Sequence, residues 1–262
     1  MAGSTAIERA LALLQYLSQH PGEHGVRSLA AALDLSPSTI FRLLETLERA
    51  GFVRQNAATN KYAIGIKAVQ LGIAALGSLD ITAVAPSRLR AMVGETGESA
   101  FLAVRDETEI VYLLKEEGKY SIRTTALLGS RRPLHCTALG KSFLATMPQA
   151  EAEALLQRSG LPALTPQTIT DVGAMWEELA HVRVRGYAVD REEVEEGLAC
   201  VAAPIRDYRG QTVAAVSMAG PAGRILPHEA RFGRRVAATA LEISTALGYV
   251  TWSKPETMPT LP

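Results

Sequence analysis

The residue types with the clearest binding chemistry in this sequence are short hydroxyls and one arginine between positions 36 and 42. Hydroxyl groups hydrogen-bond to phosphate oxygens, and the arginine fork matches the acceptor pair on the edge of guanine. Two more basic residues flank a turn-rich segment at 56–60, where they can rest against a phosphate backbone. The predicted contacts to double-stranded DNA are Arg27, Ser36, Ser38, Thr39, Arg42, Arg54 and Lys61.

A helix with a defined start and end must hold these hydroxyls. Ser36 can cap it, and Pro37 suits its first turn, where a missing N–H costs nothing. Gly51 is placed to end it. Its buried face is predicted from the i, i+3, i+4 and i+7 spacing of Ile40, Leu43, Leu44 and Leu47.

Two helices and a hairpin surround this element in the sequence. An amphipathic helix is predicted over 7–17, a short helix over 28–33, and a β-hairpin from strands at 52–54 and 61–64. Together they predict an N-terminal all-α winged helix-turn-helix domain with a small β-wing. The alternative is an ordinary three-helix bundle with a solvated polar face. The small polar residues clustered before a single arginine favour DNA binding.

Beyond residue 98 the hydrophobic pattern changes to short alternating runs. Strands are predicted at 99–105, 110–114, 121–125, 187–190, 198–205 and 213–219, and helices at 137–147, 150–158, 171–185 and 228–247. This order predicts a C-terminal α+β domain with a mainly antiparallel sheet. Helical spacing over 65–79, rich in Ala and Gly, predicts a linker helix that could also form a dimer contact or serve as a simple spacer.

Three segments of the C-terminal half offer groups for a small-molecule pocket. Leu127, Leu128 and His135 precede a helix whose N-terminus suits a carboxylate. Asp190 ends a strand and opens an acidic loop, whose simplest interpretation is a solvated surface. Cys200 and Ser217 are polar insertions in apolar strands, where a cysteine is by default a small buried hydrophobe.

The competing hypothesis is a cysteine-dependent enzyme, or a small-molecule-binding protein that uses the C-terminal domain alone. Cys200, His135 and Asp190 are the residue types of a thiol nucleophilic site. Against an enzyme, the apolar run around Cys200 raises a thiol pKa and lowers its reactivity. The histidines and cysteines also lack metal-ligand spacing, so neither a metal nor another cofactor is predicted.

Composition and charge narrow the class of protein. The 262 residues are 47% hydrophobic and 21% charged, with only two cysteines, which predicts a globular cytoplasmic chain without a disulfide framework or a membrane span. The 27 basic and 27 acidic residues cancel. Residues 1–67 carry seven basic and five acidic residues, a net charge of +2. Because one copy would neutralise few phosphates, a homodimer or homotetramer is predicted.

Three separated segments resemble one known family. Residues 36–62, 130–141 and 186–221 are similar, in this order, to the signature segments of the IclR family of bacterial transcriptional regulators. The resemblance implies a GAF-like effector-binding fold. It also implies pocket residues at Ala138, Leu139, Asp190, Cys200 and Ser217. Ala219 stands where the resemblance leads us to expect a second serine in relatives that bind small oxo-acids, which favours a larger or aromatic acid here.

The resulting hypothesis is a ligand-responsive regulator, with a repressor favoured over an activator. The predicted organisation is a DNA-binding domain at 1–64, a linker helix at 65–80, an effector-binding domain at 81–252 and a flexible tail at 253–262. The effector contacts predicted for a small organic acid are Leu127, Leu128, His135, Ala138, Leu139, Asp190, Cys200 and Ser217.

Overall fold

The computed structural model of the chain describes residues 5–76, 80–121, 124 and 126–250. The backbone divides into two compact units, one ending at Ser78 and the other beginning at Leu79. Among the described helices, none combines the length and hydrophobicity needed to cross a bilayer. The predicted boundaries at 64/65 and 80/81 stay predictions, and the predicted tail at 253–262 lies outside the described residues.

The first unit contains the predicted helices and hairpin. Its elements are α1 Thr5–Gln19, α2 Val26–Leu33, α3 Pro37–Arg49, β1 Val53–Asn56, β2 Lys61–Ile64 and α4 Ile66–Leu76. The wing is an antiparallel pair in which Val53 faces Ile64 and Asn56 faces Lys61. One apolar core joins α1, α2, α3 and the two strands, with Leu13, Leu29, Ile40, Leu44, Val53 and Tyr62 all buried.

A tight turn sets the angle between α2 and α3. Asp34 adopts the left-handed conformation, with φ of 51°, and its backbone N–H donates to the carbonyl of Ala30. The N–H of Leu35 donates to the same carbonyl. A short polar side chain tolerates this conformation better than most residues do. The winged helix-turn-helix prediction is therefore confirmed.

The second unit is an α+β domain. Its elements are α5 Ile81–Thr96, β3 Ser99–Asp106, β4 Glu109–Glu116, β5 Arg131–Pro133, α6 Ala138–Thr146, α7 Gln149–Ser159, α8 Val172–Arg185, β6 Ala188–Arg191, β7 Leu198–Arg206, β8 Thr212–Pro221, α9 Ala222–Ile225 and α10 Glu229–Ala246. In the described residues the strands form one sheet in the order β5-β4-β3-β8-β7-β6. Every neighbouring pair is antiparallel, as predicted.

Both faces of the sheet are covered by helices. On one face, Leu102, Val201 and Val216 join the core with α5 and α10. On the other, Ala103, Ala202 and Ala215 join the core with α6, α7 and α8. Successive strand residues point to opposite faces, so burial of both faces explains why these strands read as continuous apolar runs.

Two strand predictions differ from the structure. Most of the strand predicted at 121–125 falls outside the described residues, and Ser121 and Thr124, which are described, lie outside any strand. The edge strand β5 was not predicted, since three residues, two of them arginines, give no periodic signal. The GAF-like comparison stays a prediction.

Candidate DNA-reading face and effector pocket

The start of α3 is fixed by a small network of hydroxyls. The Ser36 hydroxyl accepts the backbone N–H of Thr39 at 3.2 Å, which is the N-cap predicted for it. The same oxygen lies 2.8 Å from the Thr39 hydroxyl and 3.0 Å from that of Ser38. The three side chains therefore hold one another at the exposed N-terminal end of the helix.

The other end of α3 closes as predicted. Gly51 has a φ of +78°, a left-handed conformation that favours glycine. Its N–H donates to Glu48, and the N–H of Phe52 donates to Leu47. This pair of bonds is a Schellman motif, which satisfies the last carbonyls of the helix and turns the chain into the wing.

The predicted DNA-contacting residues lie on the surface of the first unit. Ser36, Ser38, Arg42, Arg54, Lys61 and Arg27 are exposed, and Thr39 is half-buried. Within the described part of the chain, the Arg42 guanidinium has no acidic partner. The arginine fork is therefore available to an outside acceptor.

A carboxylate that was not predicted braces the wing. Glu23 accepts from the Asn56 amide at 2.7 Å and from the Thr59 hydroxyl at 2.8 Å. The Asn56 bond, followed by the Thr59 bond, lowers the pKa of Glu23. Because Glu23 lies 36 residues before Thr59, no local sequence signal joins it to the wing.

The second unit holds a cavity of about 320 Å³. It opens between the strands of the sheet, the N-terminal end of α6 and the β6–β7 loop. Six of the eight predicted effector contacts line it: Leu127, Ala138, Leu139, Asp190, Cys200 and Ser217. Ala219 lines it as well.

The other two predicted contacts lie outside this lining. Leu128 is 58% exposed, one residue beyond Leu127 in a turn. His135 is buried, with its Nε2 3.1 Å from the carbonyl oxygen of Pro162. Burial lowers the pKa of His135, and its Nδ1 has no hydrogen-bond partner among the described residues. It packs within the protein and does not line the cavity beside Cys200.

The N-terminus of α6 borders the cavity and carries free backbone donors. The Thr137 hydroxyl caps the helix by accepting the N–H of Gly140 at 2.9 Å. The backbone N–H groups of Ala138 and Leu139 have no acceptor within the described residues, and both residues line the cavity. Free N–H groups and the positive end of the helix dipole attract a carboxylate.

Asp190 faces the cavity from the end of β6. It is buried, and its Oδ1 accepts the N–H of Glu193 at 2.8 Å. Burial, followed by the neighbouring carboxylate of Glu193, raises the pKa of Asp190 to about 7. A neutral Asp190 can donate a hydrogen bond to an anion, which an ionised carboxylate cannot do.

The acidic loop after Asp190 is only partly solvated. Glu193 is buried and forms an ion pair with Lys141 of α6, which is itself fully buried. Burial raises the pKa of Glu193, while Lys141 opposes this increase. The pair joins the loop that follows Asp190 to α6. Glu195 and Glu196 are exposed, as the solvated-loop interpretation expects.

The cavity also has an aromatic wall that the sequence did not reveal. The rings of Phe101 and Tyr112 meet edge to face, with centroids 5.4 Å apart, and both line the cavity. Arg132 also lines the cavity. Arg131 instead pairs with Asp106 and Glu109, at 2.6 Å each.

The environment of Cys200 argues against a reactive thiol. Burial, followed by the nearby Asp190, raises the pKa of Cys200 well above its ordinary value. Burial likewise raises the pKa of Cys136 to about 12. A thiol nucleophile needs the opposite shift. Among the described residues, no group of three His, Cys, Asp or Glu side chains could hold a metal ion.

Similar proteins identify the class to which this architecture belongs. Residues 6–57 match the family model described as the IclR helix-turn-helix domain, and residues 73–245 match that of the bacterial transcriptional regulator IclR C-terminal domain. The HTH-type transcriptional repressor AllR of Klebsiella pneumoniae is 39% identical over 249 residues, which are 94% of this chain and 91% of that protein. AllR of Escherichia coli K12 is 38% identical over the same shares.

Solved structures give the same assignment. Pseudomonas aeruginosa HmgR has a TM-score of 0.83 at 27% identity, covering 94% of this chain and 99% of that one. The Agobacterium tumefaciens repressor BlcR has a TM-score of 0.81 at 27% identity, covering 94% and 98%. The Thermotoga maritima IclR has a TM-score of 0.63 at 35% identity, covering 93% and 98%. With both of its domains matched, this chain belongs to the IclR family of transcriptional regulators, which bind DNA and are not enzymes.

Proposed function

We propose that this regulator is a cytoplasmic repressor that changes its affinity for operator DNA when a small organic acid enters the cavity of the second unit. Residues 1–64 form the DNA-binding domain, 65–80 the linker helix and 81–252 the effector-binding domain. Relatives at 38–39% identity are named as repressors, which supports the sign of the response. The two ligands act on one linked equilibrium, so each alters the affinity for the other.

The observation that carries the effector proposal is the pairing of donors and an aromatic wall in one cavity. The carboxylate of the effector accepts from the N–H groups of Ala138 and Leu139. Its body packs against Phe101 and Tyr112. A volume of about 320 Å³ suits a small aromatic acid.

The remaining polar groups set the orientation of the effector. Asp190, Cys200 and Ser217 line one side of the cavity and can contact a hydroxyl or carbonyl group of the ligand. Ala219 adds a methyl group and no hydrogen bond there. A pocket for a two-carbon acid needs more hydrogen-bond donors than Asp190, Cys200 and Ser217 supply. We therefore favour a larger effector. Leu128 and His135 lie outside the lining, so no direct contact with the effector is proposed for them.

The operator contacts divide into two kinds. Arg27, Arg54 and Lys61 contact phosphates, because they lie away from the N-terminal end of α3. Arg42 reads a base edge, and the hydroxyls at the start of α3 contact phosphate or base. Phosphate contacts set the register of the protein on the duplex, and base contacts determine the sequence that it prefers.

The repressor acts as a homodimer or a homotetramer. Exposed apolar side chains on α1 and α4 supply a surface for a second copy: Ile7, Leu11, Ile66, Val69 and Leu71 are each at least 50% exposed. Two helix-turn-helix units then meet two half-sites of a symmetric operator.

The test measures the anisotropy of a labelled duplex from the region upstream of the gene, with random duplex as competitor and a panel of aromatic and aliphatic acids as additives. We expect specific binding that one class of acid weakens. Asp190→Ala and Ser217→Ala should retain specific DNA binding and lose the response, whereas exposed Glu196→Gln should retain both. A normal response from both cavity variants would show that the effector binds elsewhere.

A further inference from the structure

An exposed aromatic side chain lies in the N-terminal half of α3. Phe41 is 52% exposed, although its neighbours Ile40 and Leu44 are fully buried. Among the described residues, no aromatic ring or cation is paired with the Phe41 ring. Exposing this much apolar surface to water is unfavourable, at roughly 25 cal/mol per Å². Packing within the first unit therefore covers only about half of the Phe41 side chain.

The position of Phe41 links it to the proposed DNA-reading residues. Ser38, Phe41, Arg42 and Glu45 follow the spacing i, i+3, i+4 and i+7, so they share one face of α3. All four are exposed. In a helix-turn-helix unit, this N-terminal part of the second helix enters the major groove. The phenyl ring then enters the groove from the same exposed face of α3 as the Arg42 side chain.

The chemistry of the major groove restricts what a phenyl ring can recognise there. Guanine, adenine and cytosine present hydrogen-bond donors and acceptors, which an apolar ring leaves unpaired. Beside its O4 acceptor, thymine presents a 5-methyl group, which makes a favourable apolar contact with phenylalanine. Contact with that methyl group removes both apolar surfaces from water.

We propose that Phe41 packs against the 5-methyl group of a thymine in each operator half-site, next to the base that Arg42 contacts, and so makes that thymine a determinant of specificity. The inference rests on the proposed DNA-reading face of α3. It assigns to α3 a second type of readout, apolar and methyl-dependent, beside hydrogen bonding by arginine.

The methyl group can be removed from the DNA without touching any hydrogen-bonding group. Full-length wild-type protein is used to select binding sequences from a random duplex library, and the best sequence is then made with deoxyuridine in place of each thymine in turn. At one thymine per half-site we expect the affinity to fall about fourfold, the equivalent of about 0.8 kcal/mol for one buried carbon group. Phe41→Ala should bind the thymine and uracil duplexes equally.

Matched variants separate this contact from a structural role. Arg42→Ala should lose preference at a neighbouring base pair while keeping the sensitivity to the methyl group. Phe41→Leu, which retains an apolar side chain, should keep part of it. Phe41→Ala should melt close to the wild-type temperature. Phe41 is half exposed and loses little packing, and the higher helix propensity of alanine offsets that loss.

Either of two results would overturn the inference. The first is wild-type affinity that is unchanged by uracil at every thymine. The second is a methyl effect that persists in full in Phe41→Ala. Either result would mean that the Phe41 ring does not contact thymine, and a protein partner would then be the remaining explanation for its exposure. A wild-type protein that enriches no sequence would instead contradict the proposed operator binding itself, so the two failures are distinguishable.

Discussion

The pKa of Asp190 depends strongly on the surroundings of its carboxyl group. Its folded-state pKa of about 7 exceeds the ordinary value of 3.8 because the carboxyl is buried and lies near Glu193. Between pH 4 and pH 7 the folded protein therefore holds a proton that the unfolded chain has lost. The contribution of Asp190 to the free energy of unfolding falls as pH increases through this window, by about 4 kcal/mol at most.

The expected result is a difference between two pH profiles. The free energy of unfolding is measured in urea from pH 4.5 to 8. Asp190→Asn has no carboxyl group to titrate, so the pH-dependent loss that Asp190 causes should be absent. The variant should therefore gain stability relative to wild type as pH increases towards 7. Exposed Glu196→Gln, in the same loop, should parallel the wild type. Parallel profiles for wild type and Asp190→Asn would mean that Asp190 is ionised in the folded protein.

The cysteines offer a second residue-scale prediction. Burial raises the thiol pKa of both Cys136 and Cys200, and the thiolate is the reactive form. At pH 7.5, iodoacetamide should modify the folded protein at least about tenfold more slowly than the urea-unfolded chain. Cys136→Ser and Cys200→Ser variants assign the rates. Rapid modification of Cys200 in the folded state would reopen the thiol-enzyme hypothesis.

At the scale of elements, the position of α6 depends on a glycine. A Cβ added at Gly140 would lie 2.2 Å from the carbonyl oxygen of Leu134 and 2.3 Å from its Cα, which are backbone atoms that cannot rotate away. Gly140→Ala should therefore displace the N-terminus of α6, with a loss of about 3 kcal/mol or more in stability. Effector response should weaken with it, because Ala138 and Leu139 carry the proposed donors.

A second helical glycine provides the control. A Cβ at Gly94 of α5 would meet no atom within 4 Å. Gly94→Ala should therefore raise the melting temperature, since alanine is favoured over glycine inside a helix by about 1 kcal/mol. If both alanine variants shift the melting temperature in the same direction, the backbone contact at Leu134 does not hold α6.

Which elements the sequence predicts depends on how local their signals are. The bounds of α3 follow from Ser36, Pro37 and Gly51, each of which acts within one helical turn. Strand β5 is defined by its pairing with β4. Its three residues are too few to show the alternating pattern that predicts a strand. The same limit applies to Glu23, whose partners on the wing lie more than 30 residues away.

The cavity was predicted from two different sources. Asp190 was noted at the end of a strand, and Cys200 and Ser217 as polar insertions in apolar strands. Resemblance to the family pointed to the same three residues and added Ala138 and Leu139. Phe101 and Tyr112 escaped notice because aromatic residues in apolar strands give no indication of which face meets a ligand. Burial of Glu193 was also missed, because its partner Lys141 lies 52 residues earlier. Pairing across such distances is a property of the fold and not of any sequence window.

At the scale of the whole molecule, the balanced charge is the reason for the proposed assembly. A dimer brings two DNA-binding units to one operator, which doubles the number of phosphates that are neutralised. Ile66 and Val69 of α4 lie one turn apart and are 69% and 50% exposed. Replacing both with glutamate places charges on the proposed contact, and sedimentation should then detect a smaller species. Gln70→Glu adds a charge without removing apolar surface, so it should leave the assembly unchanged.

The same variant allows a prediction for DNA binding. The logarithm of the observed affinity falls with the logarithm of salt concentration, with a slope of about −0.9 for each phosphate neutralised. The double variant, with one DNA-binding unit per operator, should show about half the slope of the wild type. It should also bind more weakly at every salt concentration, while its melting temperature stays within a few degrees of wild type. Equal slopes for two species of different mass would mean that one DNA-binding unit makes all the phosphate contacts, and the link between balanced charge and assembly would fail.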